Sequence, residues 1–292
     1  MGWQEIALLI TASISVIIVI LIFVFIFLNG FQIIPDYGLF NFLFGDVWRP
    51  RSGLYGILCA IVATIQVVVV ALVIAVPISL STAIYLAEIA PDMVRKIMKP
   101  TVELLASIPS VVFGLFGYYT FVPLIKWAFG LKTGETALSG GIILAIMIIP
   151  TIVSISDDAI SAIPQTYREG SMALGATKWQ TVRKVIVPSA ISGITAAIIL
   201  AMGRAIGETM AVLMVAGGSP RVPEPFFNIL VSVIPMTAMV AKELPEAAQG
   251  STQYHALFGV AIVLFLITFL VNLMGDLIAQ RQLKKLRGEA AT

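Results

Sequence analysis

The stretch Ala162-Ile163-Pro164-Gln165-Thr166-Tyr167-Arg168-Glu169-Gly170-Ser171-Met172-Ala173-Leu174-Gly175-Ala176-Thr177-Lys178-Trp179-Gln180 decides what kind of molecule this is. Pro164 suits the first position of a helix, where its missing N–H costs nothing. Gly175 suits the left-handed position just past a helix end. Thr177 with Gln180 three residues on is a capping box, which starts a second helix. Pro188 then separates that helix from the apolar run beginning at Ala190. The pattern predicts a short helix, a tight turn and another helix over 162–188.

This polar module is flanked on both sides by lipid-soluble chain. Of the 292 residues, 59% are hydrophobic and 12% charged, whereas soluble domains carry about 25% charged residues. The apolar residues come in runs long enough to cross a bilayer, which takes about 20 residues in helix. Six such runs occur: Ile6 to Leu28, Gly56 to Leu86, a broken run from Val102 to Phe129, Leu138 to Ile155, Ala190 to Ala216, and Ala256 to Ala279. A shorter piece, Phe226 to Ala241, is interrupted by Pro235 and reads as interfacial or re-entrant. The expected fold is an all-α membrane protein of six transmembrane helices. Its first span and outer loop occupy 1–55, its main transmembrane domain 56–280 and a basic tail 281–292. The first run is too long for a signal-peptide core and lacks a basic start or a small-x-small end, so it is read as a span.

Orientation follows from the basic residues. Arg95, Lys96, Lys99, Arg168, Lys178, Arg183, Lys184, Arg281, Lys284, Lys285 and Arg287 fall on one side, eleven in all. Arg49, Arg51, Lys126, Lys132, Arg221 and Lys242, six in all, fall on the other. The eleven-residue side is expected to be cytoplasmic, with both termini there. A net charge of +2 is too small to suggest a nucleic-acid partner. One cysteine, Cys59, and one histidine, His255, give neither a disulfide framework nor a Cys/His metal site, and both read as packing or surface residues. No cofactor is implied. No Gly-Lys dipeptide occurs, so there is no Walker A loop and energy must come from another protein.

The eighteenth basic residue, Arg204, lies inside the fifth run, in Gly203-Arg204-Ala205-Ile206-Gly207-Glu208-Thr209-Met210. Charges at the centre of a span cost about 2.5–3.5 kcal/mol each on insertion scales, so they line a protein interior or a wet path. In continuous helix Arg204 and Glu208 would share one face, with Glu208 orienting and partly neutralising the arginine. Arginine's planar fork can hold two oxygens of an oxyanion, and conduction needs a site that is favourable but weak. Alternatively, the pair only fixes helix packing. In the third run, Ser107-Ile108-Pro109-Ser110-Val111-Val112-Phe113-Gly114 breaks the helix; Pro109 and Ser110 would then border a cavity with a fresh helix N-terminus favouring anions, or merely make a packing kink.

The cytoplasmic module resembles the signature of ABC importer permeases: Glu-Ala-Ala, three residues, Gly, nine residues, Ile-x-Leu-Pro. Here Glu169-Gly170-Ser171, Gly175 and Val185-Ile186-Val187-Pro188 stand at that spacing. The alanines are replaced by Gly170 and Ser171, and Ile and Leu by valine, so the small residues persist. The resemblance implies that Glu169, Gly170, Ser171 and Gly175 sit in a cleft of an ATPase subunit. Together with the third-run motif, the Arg204–Glu208 stretch and Met236 to Ala247, the chain resembles the PstC-type permeases of bacterial phosphate-specific ABC importers. That resemblance runs from about Trp48 to Asp276, and the first span matches only in hydropathy. It implies a type I importer fold in the inner membrane and a path for inorganic phosphate through Arg204, Glu208, Ser110 and Pro109. It also implies a paralogous second permease, two ATP-binding subunits and an external phosphate-binding protein. Sulfate or molybdate as the oxyanion, and the sister permease of the same importer, stay open. So does a signalling role beside transport. An intramembrane enzyme would need more than Asp157, Asp158 and His255, which lack the accompanying motifs.

Overall fold

The computed structural model describes residues 3–286, and they form an all-helical bundle with one small outer hairpin. Five helical segments are long and apolar enough to cross a membrane, and a sixth span is made by a bent pair. The first is Trp3–Gly30, which lies against the sixth through Phe23 on Phe265 and Phe25 on Phe258. The second is Leu58–Ile84, ending in a π-helical turn, Tyr85–Ile89. The fourth is Ala137–Ser161 and the sixth Thr252–Leu286. Residues 281–286 continue that last helix, and the rest of the predicted tail, 287–292, lies outside the described residues.

Spans two and four form the centre of the bundle. Ala63, Val67, Ala71 and Ala75 recur every fourth residue and bury their face against Leu144, Ala145, Ile148 and Ile152. In lipid no hydrophobic force pulls helices together, so association comes from close packing of small side chains. At Gly141 the two approach closely. A Cβ there would overlap the Val70 side chain and lie 3.3 Å from the Val67 carbonyl. Gly141→Val is therefore expected to cost well over the ~1–3 kcal/mol typical of overpacking. Its readout is loss of monodisperse protein in detergent size-exclusion chromatography. Gly207→Ala, whose Cβ would meet nothing within 4 Å, should keep its parent's elution profile.

The expected third span divides. Asp92–Ala106 is a separate helix with none of its residues buried in this chain, and the span proper is Ser110–Phe129. Twenty residues of helix reach about 30 Å, a full bilayer core. Pro109 thus breaks the chain where expected, but at the end of the span and not at depth. It stands as the cap residue, φ −58° and ψ 138°, and its ring forbids continuation of the preceding helix.

Span five is more irregular than its sequence suggests. The helical chain Lys178–Ser189 bends by 65° into Ile191–Gly207. The helix then stops, and resumes as Met210–Val215. The 226–241 piece is a loop followed by the helix Met236–Glu243, which starts after Pro235 and buries Met236, Thr237, Ala238 and Met239 in the bundle. Polar side chains of span two hold this segment: Gln66 Nε2 donates to the Phe226 carbonyl at 2.6 Å, and Thr64 Oγ1 accepts from Met236 N at 3.0 Å. Cys59 and His255 are both buried, and His255 Nδ1 donates to the Asn29 carbonyl at 3.0 Å. Both are packing residues.

Candidate functional site

Arg204 occupies the last turn of Ile191–Gly207, and its side chain is exposed on the flank of the bundle. Nη1 donates to Thr151 Oγ1 at 3.2 Å. Thr151 lies roughly 15 Å along span four from its end at Ser161, near the middle of the span. A guanidinium at that depth requires protein or water against it.

Glu208 does not share a helical face with Arg204. It is the first residue past the helix, with extended backbone at φ −67° and ψ 127°. The ion pairs among the described residues are Arg95–Asp157, Lys99–Asp157, Lys99–Asp158 and Arg168–Glu88, and Arg204–Glu208 is not one of them. Instead Glu208 Oε1 accepts from Ala211 N at 3.2 Å, capping the resumed helix. A carboxylate suits that end, where free N–H groups carry partial positive charge. The Glu208 carbonyl accepts from Thr237 Oγ1 at 2.9 Å, and Thr209 Oγ1 donates to the Gly207 carbonyl at 3.2 Å. Broken helix is tolerated in a membrane only where such partners satisfy the freed groups. Gly203 approaches Asn272 of span six, while Gly207 has no neighbour in this chain that a Cβ would meet.

Span three packs in parallel on the resumed helix. A Cβ on Gly114 would meet Met214 and Ala211, and one on Gly117 would meet Val215 and Ile143. One turn before Gly114, Ser110 comes to the level of the break in span five. Among the described residues, Pro109 and Ser110 make no hydrogen bond to Arg204 or Glu208, so the four residues share a level without forming one bonded cluster.

The predicted module at 162–188 has the expected local form. Gln165–Ala173 is helical, Gly175 has φ +84°, and both bonds of the Thr177–Gln180 capping box are present. Glu169, Gly170 and Gly175 are exposed, Ser171 is half-buried, and Leu174 and Trp179 present apolar surface, Leu174 at 91% exposure. Ser171 Oγ lies 3.0 Å from Thr181 Oγ1, joining the two halves of the module.

Residues missed from sequence surround this end. Asp157, its side chain 2% exposed, accepts from Arg95 and from Lys99 at 3.0 Å. Lys99 also pairs with Asp158 at 2.6 Å. Hydrogen bonds that the Lys99 ammonium donates to Asp158 and then to Asp157 hold it above the usual lysine range. These contacts pin Asp92–Ala106 to the end of span four. The helical spacing of Arg95 and Lys99 on one face, with Met93, Ile97 and Leu104 on another, was the available signal.

Comparison with known proteins shows the family. A model described as "binding-protein-dependent transport system inner membrane component" matches residues 75–287. A probable ABC transporter permease protein of Bacillus subtilis, YqgH, is 38% identical over 83% of this chain and 78% of its own. The phosphate transport system permease protein PstC of Haemophilus influenzae is 36% identical over 81% of this chain and 80% of its own. Among solved structures, a bacterial alginate ABC transporter in complex with its alginate-bound periplasmic protein superposes with a TM-score of 0.62. That match covers 96% of this chain and 97% of the other at 16% identity, and speaks for the fold alone. The chain belongs to the inner-membrane permease family of binding-protein-dependent ABC transporters.

Proposed function

We propose that this permease forms the path for inorganic phosphate in an ATP-driven importer. Permeases of this family are not enzymes, and ATP hydrolysis lies on separate subunits. The observation that carries the substrate assignment is Arg204, a fork-shaped cation exposed at mid-span beside a broken helix. Relatives named as phosphate permeases, at 36% identity over most of both chains, support the same oxyanion. The exposed flank around Arg204, with Val112, Leu115 and Phe116 of span three, is covered in this reading by a paralogous second permease. One of two ATP-binding subunits takes the 162–188 module, through Glu169, Gly170, Ser171 and Gly175. An external phosphate-binding protein docks at the opposite end.

The deciding experiment is uptake of labelled phosphate by proteoliposomes holding the complete complex and its binding protein. ATP-dependent uptake that unlabelled sulfate and molybdate leave untouched is expected. Uptake of labelled sulfate or molybdate in place of phosphate would overturn the assignment.

The eleven-to-six distribution of basic residues supports a cytoplasmic 162–188 end, with both termini on the same side. Cysteines replacing the exposed Lys96 and Lys178 should resist an impermeant thiol reagent in intact cells, and one replacing Arg221 should react. The native Cys59 is buried, which keeps the background low. Labelling at positions 96 and 178 from outside would invert the topology.

A further inference from the structure

Arg168 precedes the signature residue Glu169 on the same helix, yet it turns inward. Its side chain is 15% exposed, and that of its partner Glu88 only 6%. Arg168 Nε donates to the two Glu88 oxygens at 3.0 and 3.3 Å, and Nη2 donates to Oε1 at 2.5 Å. The remaining donors reach the end of span four: Nη1 to the Ile163 carbonyl at 2.6 Å and Nη2 to the Ile160 carbonyl at 3.2 Å. One guanidinium therefore holds two elements at once, with the directional geometry that only a fork provides.

Chain connectivity shows what this adds. Span four runs into the 162–188 module through Ala162 and Ile163, and span five follows it directly at Ala190. Either can be moved by the module through covalent chain. Span two cannot, because Glu88 lies 80 residues from Arg168 in sequence. Yet span two makes the central packing face with span four. Glu88 itself sits in the π-helical turn Tyr85–Ile89, a helix irregularity of the kind that recurs at functional sites. A desolvated ion pair is weak evidence for stability, and its best-attested use is to fix one geometry among alternatives.

We propose that Arg168 and Glu88 are positioning residues, a strut that carries displacement of the 162–188 module into span two. This rests on the reading of that module as the ATPase contact. Without the pair, nucleotide-driven movement would reach span two only through its apolar packing on span four, with no directional contact at the module end, and hydrolysis would run without completing transport.

The test uses the complete complex in proteoliposomes, with ATP hydrolysis and labelled phosphate uptake measured on the same preparations. Arg168→Gln and Glu88→Gln should co-purify with the ATPase subunits and hydrolyse ATP, while phosphate carried per ATP falls by about tenfold or more. The conservative variant Arg168→Lys, which keeps the charge but not the fork that also reaches the Ile160 and Ile163 carbonyls, should recover only part of the ratio. A residue that only stabilised the fold would lower assembled complex and both activities together. Parental phosphate per ATP in either Gln variant overturns the proposal, and so does a loss that merely tracks the amount of complex. The underlying reading is checked separately by cross-linking from Leu174→Cys to the ATPase subunit. An absent cross-link fails the module, whereas a normal cross-link with unaltered coupling in the Gln variants fails the strut alone.

Discussion

Arg204→Ala is expected to abolish ATP-dependent phosphate uptake by a complex that still assembles, and Arg204→Lys to leave only a small remnant. The side chain is exposed on the bundle flank, and its hydrogen bond among the described residues is a single one to Thr151. Removing it therefore disturbs little of this chain's own packing. A hydrogen bond to a charged group is worth about 1.5–3 kcal/mol, so losing a two-pronged grip on an oxyanion would slow passage on the order of 100-fold. Lysine supplies the charge without the fork. The competing account, in which Arg204 merely neutralises Glu208, is already weakened because the carboxylate caps Met210–Val215. The variant carrying Arg204→Ala and Glu208→Gln separates the two accounts, since glutamine keeps an acceptor oxygen for the Ala211 N–H. We expect it to assemble and to transport nothing. Phosphate uptake by that double variant at parental expression would remove Arg204 from the path.

What the sequence disclosed and what it hid divide along a physical line. Gly175 and the Thr177–Gln180 box are satisfied within a few residues of themselves, so their chemistry is complete in the local string. The apolar runs are equally local, because lipid requires the same thing of every residue in a span. The break after Gly207 is not local. Gly203-x-x-x-Gly207 reads as continuous helix, and the interruption is stabilised by Thr237, 29 residues away on a segment returning into the bundle. The Arg168–Glu88 pair, 80 residues apart, leaves no periodic trace at all. Asp157 offered a partial signal, a carboxylate at a span end facing a nearby run of cations. Its partners on Asp92–Ala106 were obscured by reading residues 102–106 into the third span. The site was thus legible as a set of unusual residues, while its wiring depended on which distant segment meets each of them.

Gly175 gives the other large effect, and here the strain is in the backbone. Its φ of +84° lies in the region that L side chains avoid, and the turn is closed by Gly175 N on the Met172 carbonyl at 2.9 Å and Ala176 N on the Ser171 carbonyl at 3.3 Å. A Cβ at this position would meet nothing within 4 Å in this chain. The cost of Gly175→Val inside the permease is therefore mainly conformational, about 1–2 kcal/mol, too little to prevent a six-span bundle from inserting. Its consequence falls on the neighbouring surface, where Leu174 and the small residues beside it are exposed and, in the proposed reading, meet the ATPase. Gly175→Val should reach normal membrane levels, yet co-purify poorly with the ATPase subunit and lose about tenfold or more of its uptake. Asparagine tolerates left-handed backbone far better than valine, so Gly175→Asn isolates the contribution of bulk. If the turn's shape alone mattered, Asn would restore parental uptake. We expect it to restore only part, because the side chain still thickens the surface proposed to dock on the ATPase. Parental uptake and ATPase co-purification by Gly175→Val would show that this loop does not couple the permease to hydrolysis.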